Sequence, residues 1–105
     1  MNDDVMVPEP LPSGYRLQGQ YVIESELRRS ASMRVYKATD NAIGEQVAII
    51  VPSRHRQTPV GHAEFLASFK AARGRDRRVY AYGEWMGIHF AVVAYVEGLG
   101  PAVEV

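Results

Sequence analysis

Three segments in the first half of the chain have the hydrophobic pattern of β-strands. Apolar and polar residues alternate in 21–27, which is typical of a half-exposed strand. Residues 33–39 are rich in β-branched and aromatic side chains and predict a second strand. Residues 46–51 are apolar on both faces, as expected of a central strand, and Pro52 ends the segment. Short turns join the three strands, so we expect them to be antiparallel.

The second half of the chain combines a helix with a hairpin. Apolar residues recur at roughly helical spacing after Pro59, and Gly74 is suited to the C-cap of the helix. Residues 77–82 and 88–96 predict two further strands, joined by the loop 83–87 with a glycine at each end. The order of elements predicts an α+β fold, in which one helix packs on one face of a five-stranded antiparallel sheet.

Length and composition agree with a single folded domain. The chain has 105 residues, of which 47% are hydrophobic and 23% charged, so bulk disorder is excluded. Three prolines and a lack of periodicity predict a flexible leader in 1–13. We expect the domain to span 14–98 and the remaining residues, 99–105, to form a tail or linker.

Charge, cysteine content and targeting signals exclude several classes of function. Twelve basic residues balance twelve acidic ones, so no net field draws the chain to nucleic acid or to an anionic membrane. The absence of cysteine excludes disulfide scaffolds, thiolate metal sites and cysteine nucleophiles. The N-terminus lacks a basic n-region, and the apolar run 90–96 is too short to span a bilayer. We therefore expect a cytoplasmic protein with no membrane partner.

An ordered set of segments resembles the N-terminal lobe of a protein kinase, in the style of the bacterial Ser/Thr kinases. These segments are Val35-Tyr36-Lys37-Ala38, Val47-Ala48-Ile49, Val79-Tyr80-Ala81-Tyr82-Gly83-Glu84 and Val92-Val93-Ala94-Tyr95-Val96-Glu97-Gly98. They occur in the family's order and at nearly its spacing. The resemblance implies a kinase N-lobe fold for 14–98.

The positions that grip nucleotide phosphates in that family depart from its pattern. The three glycines of its phosphate-covering loop fall on Arg28, Ser30 and Met33. Its phosphate-binding lysine falls on Ile50, which has neither a charge nor a hydrogen-bond donor. The helix glutamate that pairs with that lysine falls on Glu64 or on Ser68, depending on the alignment.

Catalytic and metal-binding groups are also missing from the sequence pattern. Only seven residues follow Gly98, so the catalytic base and the magnesium-binding carboxylates of a kinase's second lobe have no counterpart here. His55, His62 and His89 lack the spacing of metal ligands, and we interpret them as isolated surface or half-buried side chains. We therefore expect a chain that is not an enzyme and has no cofactor.

Three functional hypotheses follow. The first is a degenerate, pseudokinase-like adaptor or regulatory module that binds protein. The second is a regulatory domain that binds a nucleotide without catalysis, in which Arg28, Arg29 or Arg34 substitutes for the lysine. The third is weak nucleic-acid binding through a basic cluster, for which an acidic protein partner is the better fit. The cluster comprises Arg54, Arg56, Lys70, Arg73, Arg75, Arg77 and Arg78.

Two apolar features are candidate interaction sites. Trp85 and Met86 lie at the predicted hairpin tip, where they either fold back onto the sheet edge or anchor a partner. The second feature is the face that nucleotide and second lobe cover in a kinase, formed by Val35, Ala48, Ile50 and Val93. An exposed patch there predicts self-association, most simply as a symmetric dimer, unless the leader folds back over it. The leader residues suited to covering it are Val5, Met6, Val7 and Leu11.

Overall fold

A computed structural model describes residues 7–75, 78–98, 100 and 101, and for 71–75 the backbone alone. The strands are β1 (Arg16–Leu17), β2 (Tyr21–Arg29), β3 (Met33–Asp40), β4 (Glu45–Pro52), β5 (Val79–Trp85), β6 (Ile88–Val96) and β7 (Gly100–Pro101). Helix α1 is Pro59–Arg75, preceded by a single 3-10 turn at Arg54–Arg56.

The strands form one antiparallel sheet in the order β1-β2-β3-β4-β6-β5, and β7 pairs with the end of β6. Helix α1 connects β4 to β5 and packs on one face. The predicted α+β architecture, with five long strands and one helix, is confirmed. The two-residue strands β1 and β7 are additional, because segments so short carry no detectable period.

Strand β2 departs from the simple alternation that its sequence suggests. The register with β3 shifts between Ile23 and Ser25 and again between Glu26 and Arg28. Tyr21 and Ile23 are buried, whereas Ser25 lies exposed although it has the same parity. A bulge moves the following side chains to the other face, which a pattern of period two does not anticipate.

The hairpin between β5 and β6 is tighter than predicted. Strand β5 continues to Trp85, so that only Met86 and Gly87 form the turn, instead of the loop 83–87. Both turn residues have positive φ, 51° and 84°. Positive φ at both central residues is the property of the type I′ turn, whose twist matches that of the flanking strands.

The sheet is buried on both faces, as its central strand β4 indicates. One apolar cluster lies beneath α1, and the other lies on the opposite face of the sheet, which we call the outer face. Alternate residues of β4 contribute to each cluster, with Val47 and Ile49 on the outer face and Ala48 and Ile50 beneath α1. All four side chains are fully buried.

Packed or paired residues lie outside the predicted bounds 14–98 at both ends of the domain. Val7 and Leu11 are 4% and 6% exposed and belong to the outer-face cluster, so residues 7–13 are part of the folded domain and not a flexible leader. At the other end, Pro101 pairs with Tyr95 of β6, within the predicted tail 99–105. Val5 and Met6 lie outside the described residues. Within the part of the chain that the structure covers, no helix is long and apolar enough to cross a membrane.

Candidate functional site

The face predicted to be an exposed apolar patch is instead buried. Val35, Ala48, Ile50 and Val93 are at most 2% exposed. Phe65 and Phe69 of α1 cover them, with ring centroids 4.9 Å apart. The expectation of an open patch is therefore wrong, and neither the leader nor a second copy is needed to cover it.

The orientation of α1 decides which residue faces the position of the kinase lysine. Glu64 is exposed and its carboxylate lies 3.7 Å from the guanidinium of Arg56. Ser68 is also exposed and donates a hydrogen bond to the carbonyl oxygen of Glu64 at 3.1 Å. The inward positions of the helix are Phe65 and Phe69, so neither of the two alternatives for the glutamate lies against Ile50.

The side chain of Ser30 forms hydrogen bonds with the backbone of the turn between β2 and β3. Ser30 Oγ accepts hydrogen bonds from the backbone N–H groups of Ser32 at 3.3 Å and of Met33 at 3.1 Å. The N–H of Ser30 in turn donates to the carbonyl oxygen of Met33 at 2.8 Å. Three backbone donors of this turn, of the kind that a glycine-rich loop directs at phosphates, are therefore occupied within the turn.

The arginines beside this turn differ in their surroundings. Arg29 and Arg34 both donate to the carboxylate of Glu26, at 2.6 and 2.9 Å. Partial burial alone raises the pKa of Glu26, but the hydrogen bonds from the two arginines outweigh it, and the pKa lies below its usual value. Arg28 lies exposed, and among the described carboxylates none is within ion-pair distance of it. Arg28 and Arg29 border a surface groove of about 230 Å³.

At the hairpin tip, Trp85 and Met86 differ in their exposure to solvent. Trp85 folds back: its indole N–H donates to the hydroxyl of Tyr15 at 3.0 Å, and its ring packs against the outer-face cluster. Gln18 makes a second cross-link, donating to the carbonyl oxygen of Glu84 at 3.0 Å. Met86 remains 55% exposed at the tip. Of the two residues, only Met86 is therefore available to a partner.

Three of the seven side chains of the basic cluster lie outside what the structure describes. Arg77 falls outside the described residues, and only the backbone of Arg73 and Arg75 is defined. Arg78 is exposed, and its carbonyl oxygen accepts from the N–H of Ala94 at 2.8 Å. Arg54, which the sequence placed in the same cluster, is instead bound to residues 7–9.

Two of the histidines form a pair that the sequence did not indicate. The rings of His62 and His89 stack with centroids 3.7 Å apart. The side-chain oxygen of Gln57 accepts from His62 Nε2 at 2.6 Å and from the His89 backbone N–H at 3.2 Å. Burial and then the neighbouring His89 lower the pKa of His62, against a smaller opposing effect of Glu84. The interpretation of His62 and His89 as isolated is wrong, because residues 27 positions apart meet only through the fold.

The described side chains form no group of three or more His, Asp or Glu suited to a metal ion. The imidazole pair joins the start of α1 to β6, where the shared Gln57 holds both residues. Its effect is to fix the helix on the sheet.

Several solved structures of protein-kinase domains are similar to this chain. The kinase domain of Mycobacterium tuberculosis PknI, as a single mutant, superimposes with a TM-score of 0.69 and 24% identity over 84% of this chain and 37% of that chain. A double mutant gives 0.68 and 23%, over 82% and 36%. The domain described without substitutions gives 0.66 and 23%, over 82% and 36%. No protein-family model and no curated protein matches the sequence.

The chain therefore has the fold of a protein-kinase N-terminal lobe, as the ordered segments of its sequence implied. It spans little more than a third of the length of the kinase domains that it matches. The likeness establishes architecture. The chemistry of this chain depends on its own residues.

Proposed function

We propose that this chain is a non-catalytic module with a kinase N-lobe fold that acts by binding another protein. The observation that carries the proposal is the burial of Ile50. Where the resemblance places a phosphate-binding cation, the structure has an aliphatic side chain with no exposed surface, sealed by Phe65 and Phe69. A phosphate brought there would lose its hydration and gain no donor, which is strongly unfavourable.

The turn between β2 and β3 supports the same conclusion. Phosphate cradles use unoccupied backbone N–H groups on a chain without side chains. Here the N–H groups of Ser32 and Met33 are already satisfied by Ser30 Oγ. A nucleotide would have to break these bonds before it could use the donors.

Protein binding is supported by the hairpin tip. Met86 is a large apolar residue, 55% exposed, and it occupies a left-handed conformation that costs a non-glycine residue roughly 1–2 kcal/mol. Residues held in strained backbone conformations cluster at sites that contact ligands or partners. A flexible thioether side chain is suited to such a contact.

Nucleotide binding without catalysis is a second candidate, favoured by the groove of about 230 Å³ beside Arg28 and Arg29. These guanidinium groups could contact phosphates from outside the turn. This candidate differs from the first in requiring a saturable nucleotide complex.

A thermal-shift titration with magnesium and ATP separates the two candidates. We expect no saturable rise in Tm up to millimolar ATP, because the cation and the amide cradle are missing. A ligand present at 100 times its Kd stabilises the folded state by about 2.7 kcal/mol, which the assay detects readily. A saturable shift that Arg28→Ala abolishes would replace the protein-binding proposal with nucleotide binding.

A second experiment tests protein binding. A photo-crosslinking amino acid is placed at position 86 of the full chain, and the chain is incubated with the proteins of the source cell. We expect a discrete adduct at position 86. The matched control is position 43, because Ile43 is also apolar and exposed, at 61%. Equal, diffuse labelling at both positions would contradict a specific docking role for the hairpin tip.

A further inference from the structure

Residues 7–12, which we call the strap, lie on the outer face of the sheet like a bound peptide. Val7 and Leu11 are its two buried side chains, at 4% and 6% exposure. Tyr36, Val51 and Ile88 line the groove that receives them. The backbone N–H of Leu11 donates to the hydroxyl of Tyr36 at 3.1 Å, so the groove also binds the main chain of the strap.

A carboxylate lies between the two apolar anchors and is recognised by polar groups of the sheet. Glu9 Oε2 accepts from the backbone N–H of Arg54 at 2.8 Å and lies 3.5 Å from Arg34 Nε. The guanidinium of Arg54 donates to the carbonyl oxygen of Val7. The strap thus makes apolar, charged and main-chain contacts within five residues, a combination that gives short peptides both affinity and specificity.

We propose that this groove is a peptide-binding site, and that the strap is its built-in competitor. Its ligand is a short segment of a partner protein with a glutamate two residues after one apolar anchor and two residues before another. The proposal rests on the proposed protein-binding function and names the chemistry of the partner.

The receptor side of the groove is organised independently of the strap. Arg34 is held at 2.9 Å by Glu26, a bond that does not involve Glu9. Hydrogen bonding to Glu26 raises the pKa of Arg34 further, so it stays charged. The guanidinium is therefore already in place for an incoming carboxylate, which reduces the cost of binding.

The strap itself is suited to release. Pro8 and Pro10 are exposed. The groups that must leave the groove are two apolar side chains, the Glu9 carboxylate and the main-chain groups of Val7 and Leu11. Segments with few buried contacts open at a fraction of the free energy of global unfolding. A short tether holds the strap at an effective concentration of the order of millimolar, so a partner peptide must compete with it.

The test removes the glutamate carboxylate from the chain in one variant and from the peptide in another. Fluorescence anisotropy measures the binding of a labelled peptide with the sequence of residues 5–13 to the full chain. Glu9→Gln in the chain weakens the strap, and losing one charged hydrogen bond corresponds to a factor of about ten. Because apparent affinity scales with the open fraction, the variant chain should bind the peptide about tenfold more tightly than the wild-type chain.

The reciprocal change and a matched control complete the design. A peptide with glutamine in place of its glutamate should bind every chain about tenfold more weakly. Glu45→Gln removes the same charge at an exposed position away from the strap and should behave as the wild type. Leu11→Ala provides a second way to loosen the strap. When the peptide binds the Glu9→Gln chain, the amide resonance of Arg54 should shift, because its acceptor changes from an amide to a carboxylate, and that of Phe69 should not.

Absence of saturable binding to both loosened chains at millimolar peptide would overturn the proposal, as would indifference to the peptide's glutamate. Either result would leave the ATP titration and the crosslinking at position 86 unaffected. Failure of the groove and failure of the proposed function are therefore distinguishable.

Discussion

Met86 has a backbone conformation that lowers the stability of the folded chain. Met86 has φ 51° in a two-residue turn that favours asparagine or glycine before its Gly87. Met86→Asn should raise the free energy of unfolding by about 1 kcal/mol, because asparagine tolerates the left-handed conformation. In a domain of this size, Tm should rise by about 4 °C. Met86→Leu keeps the backbone penalty and should leave Tm unchanged, whereas equal gains from both variants would contradict the strain argument.

At the scale of elements, the start of α1 is held by the stacked pair His62 and His89. Because burial and His89 lower the pKa of His62, the unfolded chain takes up this proton first as the pH falls below about 6.5. The stability associated with neutral His62 is therefore complete above that pH and is lost on acidification. His62→Gln should flatten the dependence of Tm on pH between 7 and 5.

The control for this prediction is His55→Gln, which changes an exposed histidine outside the stack. It should preserve the slope of the wild type. The effect is distinct from that of Glu26, whose lowered pKa places its loss of stability at more acidic pH, as the pH falls through its folded value. If the dependence of Tm on pH is the same in His62→Gln as in the wild type, the stacked pair does not contribute to the pH dependence of stability.

The elements also show what the sequence could predict. Strands 33–39 and 88–96 and the helix from Pro59 were predicted almost to the residue, because their patterns are local. The strap was missed because prolines remove its periodicity, and the groups that hold it, Arg34 and Tyr36, lie some 25 residues away. The spacing of Val7, Glu9 and Leu11, apolar residues around a carboxylate, was the available signal. Val35, Ala48, Ile50 and Val93 do lie on one face of the sheet, but they were expected to be open, and their covering by Phe65 and Phe69 depends on the rotation of α1.

For the whole molecule, both faces of the sheet are covered by the chain itself, one by α1 and the other in part by Val7 and Leu11. A dimer cannot form through the face of Val35, Ala48, Ile50 and Val93 as it stands, since these residues offer no surface to a second copy. We expect light scattering at tens of micromolar to give the mass of a monomer.

Ile50→Lys distinguishes a buried core position from an interface. A lysine beneath Phe65 and Phe69 has no carboxylate partner there, because Glu64 faces Arg56 in solvent. Burying an unpaired amine should lower the free energy of unfolding by about 3 kcal/mol, partly offset if the amine gives up its proton. The mass should remain that of a monomer while Tm falls. A wild-type dimer that Ile50→Lys dissociates without loss of Tm would instead place this face at an interface, and would require α1 to move away from the sheet in solution.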